Sequence, residues 1–398
     1  MTIVNLELLS SRQALSAVPA PPAVTPPVSD RLLTRRILIL GSGPMAAKVI
    51  EEIEAVGGSR DVVAGLVDHE EPQAPWARNT KWLGPPSRLA EIVERDRPGR
   101  IVVAFADRRD RLPLQLLLES RVRGVIVEDA VEFYEHLTGK MAIESLNPST
   151  LILSKGFRNH GAAEIVARVI SVLGAAIGLV LSAPLLLAIA VAIKLDSRGP
   201  VLFIQSRAGR NGRPFGLFKF RTMRPTEGMH SEWARDNDHR ITRVGRWLRR
   251  FRLDELPQLV NVLTGEMNLI GPRPHPTSNH EIFMDQIAYY PLRSTVRPGV
   301  TGWAQVRYGY ANDLEEETEK MRYDLYYIKN RSLWLDLTIL FETVAVMVTG
   351  RGATDICQPP KPVHVGIAPR LTPQRSRQVQ LWWPGRTSAV KAVAPSPR

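Results

Sequence analysis

"RRILILGSGPMAAKVIEEIEA", residues 35–55, is a short apolar run, a glycine turn and then a helical pattern. An unbroken run of this kind fits a strand covered on both faces. "DVVAGLVDHEE" (61–71) supplies a second such strand, and "SRLAEIVERDRPGRIVVAFADRRD" (87–110) a helix, a Pro-Gly stop and a third. "LPLQLLLESRVRGVIVED" (112–129) repeats the unit. Strands alternating with helices imply parallel pairing, so residues 35–150 are expected to form a doubly wound α/β domain.

Its first turn carries Gly41, Gly43 and Ala46. One reading is a dinucleotide site, with the helix N-terminus on a pyrophosphate and Asp68 on a ribose. The other is a tight strand-to-helix turn, which any such fold needs. Pro44 removes one N–H that could cradle phosphate, and this spacing is weak on its own.

Outward from this domain the composition changes. Residues 1–34 ("SAVPAPPAVTPPVSD" at their centre) read as a disordered Pro-rich leader, with no signal peptide. The 398 residues carry a net charge of +12, which points to an anionic partner. The single cysteine, Cys357, excludes an internal disulfide and fits a reducing compartment. Residues 351–398 read as a disordered basic tail, with Trp382 and Trp383 as a lipid-surface contact or simply solvated.

Between Arg168 and Lys194, residues 169–193 hold no charge. That stretch exceeds the ~20 residues needed to cross a bilayer. A buried core helix is the other reading, although one of this length normally shows a polar stripe. Pro184 kinks such a helix, and the Ser182 hydroxyl is the nearest candidate partner for the backbone groups it frees. With basic residues on both sides and no export signal, the expected topology is a re-entrant helix that dips in and returns.

Beyond it, Arg243, Arg246, Arg249, Arg250 and Arg252 alternate with Trp247, Leu248 and Phe251. Helical spacing makes this a basic amphipathic surface suited to lipid headgroups; nucleic acid offers no counterpart to the apolar face. Asp254 and Glu255 follow at once. They could be a helix N-cap and first-turn acid, with Pro257 where proline is tolerated. Equally, a carboxylate held ionised among arginines is a nucleophile toward phosphorus, and its neighbour could hold a divalent cation. Lys219, Arg221, Arg273 and Arg297 each sit at a turn or strand end beside Pro, Gly or aromatic residues, where a cation is aimed at a fixed point.

Four blocks carry a resemblance: "FIQSRAGRNGRPFGLFKFRTM" (203–223), "RWLRRFRLDELPQLVNVLTGEMNLIGPRP" (246–274), "STVRPGVTGWAQVRYG" (294–309) and "YDLYYIKNRSLWLDLTIL" (323–340). In this order, after the Pro-bent helix, they resemble the bacterial sugar transferases, the monotopic polyprenyl-phosphate phosphoglycosyl transferases. Residues 160–350 would then be a membrane-associated α+β transferase domain. Residues 35–150 resemble the Rossmann-like, CoA-binding-type domain of exopolysaccharide-associated members.

The resemblance implies that Asp254 attacks the β-phosphate of a nucleoside-diphosphate sugar, a UDP-sugar by analogy. The phosphosugar then passes to undecaprenyl phosphate. It implies Mg2+ at Asp254 and Glu255, substrate contacts from Lys219, Arg221, Arg252, Arg273 and Arg297, and an acidic position at Asp324. It places the chain in membrane lipid on the cytosolic face of a bacterial inner membrane, with room for a homodimer. Larger members carry transmembrane helices before the Rossmann-like domain, and none is read here. The competing reading is a nicotinamide-dependent nucleotide-sugar enzyme using the Gly41 turn.

Overall fold

Ile37 and Ile39 pack into one core cluster and Leu38 and Leu40 into another, as alternate residues of a strand must when both faces are covered. The computed structural model describes residues 35–55, 61–105, 112–145, 156–157, 161–224, 240–308, 311 and 313–349. The leader and the basic tail expected from the sequence lie outside the described residues.

The strand is β1 (Arg35–Leu40). It is followed by α1 (Pro44–Ala55), β2 (Asp61–Val67), β3 (Trp82–Gly84), α2 (Leu89–Asp96), β4 (Arg100–Val103), α3 (Leu114–Val122), β5 (Ile126–Asp129) and α4 (Ala130–Thr138). All strand pairs are parallel, in the order β3-β2-β1-β4-β5. α1 and α4 cover one face, α2 and α3 the other. The parallel α/β sheet is as expected. β3 is an addition, because three residues are too few to show a period.

The glycine turn has a structural cause. Gly41 takes φ +103°, and a Cβ there would lie 2.7 Å from both the Phe105 ring and its backbone nitrogen. Asp68 accepts from the Ser42 and His69 N–H groups, each at 2.7 Å. One oxygen ties the glycine turn to the end of β2 and the other accepts from the next residue's N–H, so the ribose acceptor of the dinucleotide reading is already engaged.

The remaining elements are α5 (Gly161–Asp196), β6 (Leu202–Ala208), β7 (Pro214–Phe220), α6 (Arg243–Arg250), α7 (Gln258–Thr264), β8 (Asn268–Ile270), α8 (Thr277–Gln286), β9 (Gly299–Thr301), α9 (Trp303–Arg307), α10 (Leu314–Lys329) and α11 (Leu333–Thr349). β6 and β7 form an antiparallel hairpin, and β8 pairs with β9 in parallel. After β9 the chain passes through Gly302 directly into the short helix α9.

α5 is one helix of 36 residues with Pro184 inside it, roughly 54 Å at 1.5 Å per residue. Only 11% of its most apolar window is buried, and it alone among the described residues is long and apolar enough to cross a membrane. The buried-core reading of residues 169–193 therefore fails. Ser182 does hydrogen-bond backbone near the proline, donating to the Leu179 carbonyl at 3.5 Å.

Charged and backbone contacts join the α/β sheet unit to α10. Lys140 lies 2.7 Å from Glu319 and 3.5 Å from Glu52, and Lys329 lies 2.6 Å from Glu135. The Met141 N–H donates to the Arg322 carbonyl at 3.1 Å, and the Trp303 indole donates to the Gly139 carbonyl at 2.8 Å. Met141 and Ile143 also enter the core built around Met321, Leu325 and Ile328.

Candidate active site

Asp254 and Glu255 lie on a 3₁₀ turn, Leu253–Glu255, between α6 and α7. Asp254 is no helix N-cap; Pro257 occupies that position for α7. The chain reaches the turn through Arg252 at φ +53°, a left-handed conformation that costs a non-glycine residue about 1–2 kcal/mol. Both carboxylates are buried, at 8% and 7% exposure. A carboxylate cannot be buried as an anion without compensation, so the surroundings decide its state.

α7 is anchored on three sides. Asn261 accepts from the Phe218 N–H at 3.0 Å and donates to the Gly216 carbonyl at 2.8 Å, latching α7 to β7 and its Lys219. Arg168, at the start of the apolar stretch of α5, donates to the Val262 and Met267 carbonyls at 2.6 and 2.7 Å. Behind the pair, β8 and β9 come so close that a Cβ on Gly299 would lie 2.1 Å from the Gly271 nitrogen. That approach delivers the "GPRP" turn, and Arg273, to the carboxylates.

Arg273 grips Glu255 with two parallel bonds, 3.0 Å to Oε2 and 2.6 Å to Oε1, and Lys219 lies 3.9 Å from the same carboxylate. Burial opposes the Glu255 charge, but Arg273 and Lys219 outweigh it and hold the carboxyl well below the usual range. Burial and the adjacent Glu255 raise Asp254, against the pull of Lys219, Arg249 and Arg273. Burial and Arg273 push the Lys219 ammonium down to about 7. The arrangement is one fixed anion, one carboxyl whose ionisation burial and the neighbouring anion oppose, and a cationic wall. An anionic phosphate group would stabilise the charged lysine and arginines.

Of the eight residues expected at the site, the structure brings four together: Asp254, Glu255, Lys219 and Arg273. Arg252 borders an apolar cavity beside Glu255. Arg221 instead donates to the Arg198 and Ser197 carbonyls at 2.8 and 2.7 Å, just past the C-terminal end of α5. Arg297 donates to the Gly265 carbonyl at 3.3 Å and pairs with Glu164 at 3.1 Å. Asp324 pairs with Arg293 at 2.7 Å. In the structure the Arg221 and Arg297 guanidinium groups are each engaged by backbone carbonyls or a local acid.

Arg293 was not expected at all. Besides Asp324 it donates to the Arg273 carbonyl, and its Nη1 is 3.2 Å from His275 Nδ1. His275 Nδ1 is 2.6 Å from the Tyr290 hydroxyl, and its Nε2 is 2.6 Å from Glu317. Burial and Arg293 push His275 down to about 3, so the ring is neutral near pH 7. This cluster fixes the backbone that carries Arg273. Gln258 was also missed, although it stands in the quoted block; it is 1% exposed and both amide atoms lack a partner among the described residues.

Among the described residues, no group of three or more His, Cys, Asp or Glu side chains is arranged to hold a metal by itself. Magnesium usually needs only one or two carboxylates beside substrate phosphates. The Asp254 carboxylate fits that role, whereas both Glu255 oxygens are engaged by Arg273.

The family profile described as bacterial sugar transferase matches residues 162–350. The chain is 44% identical over 220 residues to a UDP-N-acetylgalactosamine-undecaprenyl-phosphate N-acetylgalactosaminephosphotransferase of Aeromonas hydrophila, covering 55% of this chain and 51% of that one. It is 45% identical over 210 residues to a UDP-glucose:undecaprenyl-phosphate glucose-1-phosphate transferase of Caulobacter vibrioides, covering 51% and 79%. A third relative, an undecaprenyl-phosphate glucose phosphotransferase of Komagataeibacter xylinus, is 33% identical over 339 residues, covering 82% and 62%. The chain spans about half or less of the length of the first two curated relatives it matches, 51% and 40%.

Proposed function

This chain belongs to the bacterial sugar transferase family, and from that premise we propose that it transfers a sugar-1-phosphate from a UDP-sugar to undecaprenyl phosphate. The observation that carries the reading is Asp254, buried beside a Glu255 already neutralised by Arg273, with Lys219 completing a cationic wall. The relatives' names, which pair UDP-sugars with undecaprenyl phosphate, support the choice of substrates. Exopolysaccharide or another surface glycan is the process such a product would start, and one relative is an exopolysaccharide production protein of Rhizobium leguminosarum.

In the first step an Asp254 oxygen attacks the sugar-bearing β-phosphorus. The bond from that phosphorus to the bridging oxygen breaks, UMP leaves with the electron pair, and a phosphosugar-Asp mixed anhydride remains. In the second, an oxygen of undecaprenyl phosphate attacks the same phosphorus and the Asp254 carboxylate departs. Lys219 and Arg273 face the phosphoryl charge in both steps. Glu255 fixes Arg273 and keeps Asp254 from being over-stabilised as an inert ion pair. Magnesium, when bound at Asp254 with the diphosphate, would supply further neutralising charge.

The membrane reading rests on α5. Glu164 near its start pairs with Arg210 and Arg297 at 2.6 and 3.1 Å, and the carbonyls just past its end accept from Arg221. A helix whose two ends are tied to one polar body does not carry them to opposite sides of a bilayer. We therefore favour monotopic, re-entrant insertion from the cytosolic face of the inner membrane. The sheet order β3-β2-β1-β4-β5 supports a Rossmann-like reading of the N-terminal unit.

The test uses the full chain in membranes, radiolabelled UDP-sugars and undecaprenyl phosphate, with and without magnesium. Label is expected in the lipid fraction with wild type and not with Asp254→Asn. Undiminished transfer by that variant would remove the nucleophile assignment.

A further inference from the structure

We propose that an apolar cavity under α11 seats the first isoprene units of the polyprenyl phosphate acceptor, with the phosphate end at Asp254. This rests on the transferase reading above and adds to it where the lipid lies. The cavity holds about 220 Å³, with Arg252 and Glu255 at its polar end and Leu259, Val300, Leu340 and Val344 along its walls.

Its chemistry is that of an amphiphile in negative. One end is the cation-bound carboxylate of the catalytic pair, and the rest is hydrocarbon. The threonine hydroxyls in the lining, Thr301 and Thr343, bond each other at 2.7 Å, and the Gln305 amide nitrogen donates to the Val300 carbonyl at 3.0 Å. Along the apolar wall, Gln305 Oε1 is buried with no partner among the described residues. A nucleoside or sugar would bury several hydroxyls here unmet, each at a cost. A prenyl chain would bury none.

Access fits as well. Trp334, Leu337, Phe341 and Val344 are all exposed on α11, and their spacing of three, four and three residues puts them in one outward stripe. Val344 belongs both to that stripe and to the cavity wall, so the cavity borders the face turned to lipid. Its size suits a foothold and not a whole tail. An apolar cavity of ~150 Å³ accepts one six-carbon ring, so this one takes roughly nine carbons, close to two five-carbon units.

A larger cleft of about 520 Å³ lies between α5 and α6, against Ala188, Ile189, Arg243 and Trp247. It has neither carboxylate of the pair on its wall. A tail seated there would have no direct line to Asp254, so it serves as the rival location.

The full chain in phosphatidylethanolamine–phosphatidylglycerol nanodiscs is given undecaprenyl phosphate with a diazirine on its first isoprene unit. Labelling is expected in peptides containing residues 300–306 or 340–346. Labelling confined to residues 185–192, or labelling that excess phosphatidylglycerol removes, overturns the proposal. Val344→Trp, a change at an exposed helix position, narrows the cavity without opening the core. Its KM for undecaprenyl phosphate should rise about tenfold, the worth of some two methylenes of burial, while single-turnover UMP release without acceptor continues. An unchanged acceptor KM in the folded variant also overturns the proposal. Failure of wild type to release UMP counts against the activity itself, and the labelling result stands apart from turnover.

Discussion

Gln258 is buried with both amide atoms unpartnered among the described residues, and a group left in that state costs about 1–3 kcal/mol. It follows Asp254 by four residues and Glu255 by three, which on a helical turn keeps it on their side. Such a side chain persists when a ligand meets it during the reaction. Gln258→Met, similar in shape and apolar, should raise the melting temperature by a few degrees and lower kcat/KM for the UDP-sugar by about tenfold or more. A lower melting temperature with intact kinetics would show Gln258 to be structural. The pH profile is a second residue-scale consequence. On the proposed mechanism Asp254 must be ionised to attack, and its carboxyl lies above the usual value through burial and Glu255. The same mechanism requires a charged Lys219 to meet the diphosphate, and its ammonium sits at about 7. Donor kcat/KM should therefore rise through Asp254's titration and fall above about pH 7. Lys219→Arg should move the alkaline limb upward, and Glu255→Gln the acid limb downward. The linkage sign for Lys219 runs the other way: between about 7 and the ordinary lysine value the unfolded chain holds more protons, so its share of stability grows with pH.

At the scale of elements, α10 connects the site to what lies behind it. Glu317 and Asp324 on this helix meet His275 and Arg293, and Arg293 holds the Arg273 carbonyl. Asp324→Asn leaves a buried arginine short of its partner, which typically costs about 3–5 kcal/mol. At a temperature where the variant is still folded, donor kcat/KM should also fall, because the Arg273 backbone has lost its brace. Destabilisation with unchanged kinetics would limit Asp324 to folding. Neither Arg293 nor His275 was legible in the sequence. "YYPLRS" has no period and no motif spacing, and its value comes from a loop folding back across the chain. β1 and α5 were legible because their signals are local and long: an apolar run with a glycine stop, and 25 uncharged residues between Arg168 and Lys194. Arg221 and Arg297 show the limit between these cases. Residue type and turn context identify a directed cation, but which groups its fork meets depends on distant chain: carbonyls just past α5 for Arg221, Gly265 and Glu164 for Arg297. The turn at Asp254 misled in the same way, since Pro257 shifts the helix start beyond the acidic pair.

Across the whole molecule, the sheet unit and the candidate site share α10 as a common wall. Glu319 and Lys329 face Lys140 and Glu135 of the sheet unit, while Glu317 and Asp324 face the cluster behind Arg273. With both faces of α10 engaged, a displacement on one side is expected to reach the other, so the sheet unit is expected to act on Arg273 through this helix. The physical warrant for such coupling is energetic and not spatial. Lys140→Met leaves Glu52 and Glu319 facing each other without their shared cation, so it should destabilise the protein and lower kcat several-fold. Combined with Asp324→Asn, it should deviate from additivity in kcat/KM by more than about 0.5 kcal/mol, the scatter expected of independent sites. Strict additivity would mean that the sheet unit is merely attached, with catalysis indifferent to it. A clear coupling would mean instead that ligands or partners acting on the sheet unit can reach Asp254 through α10.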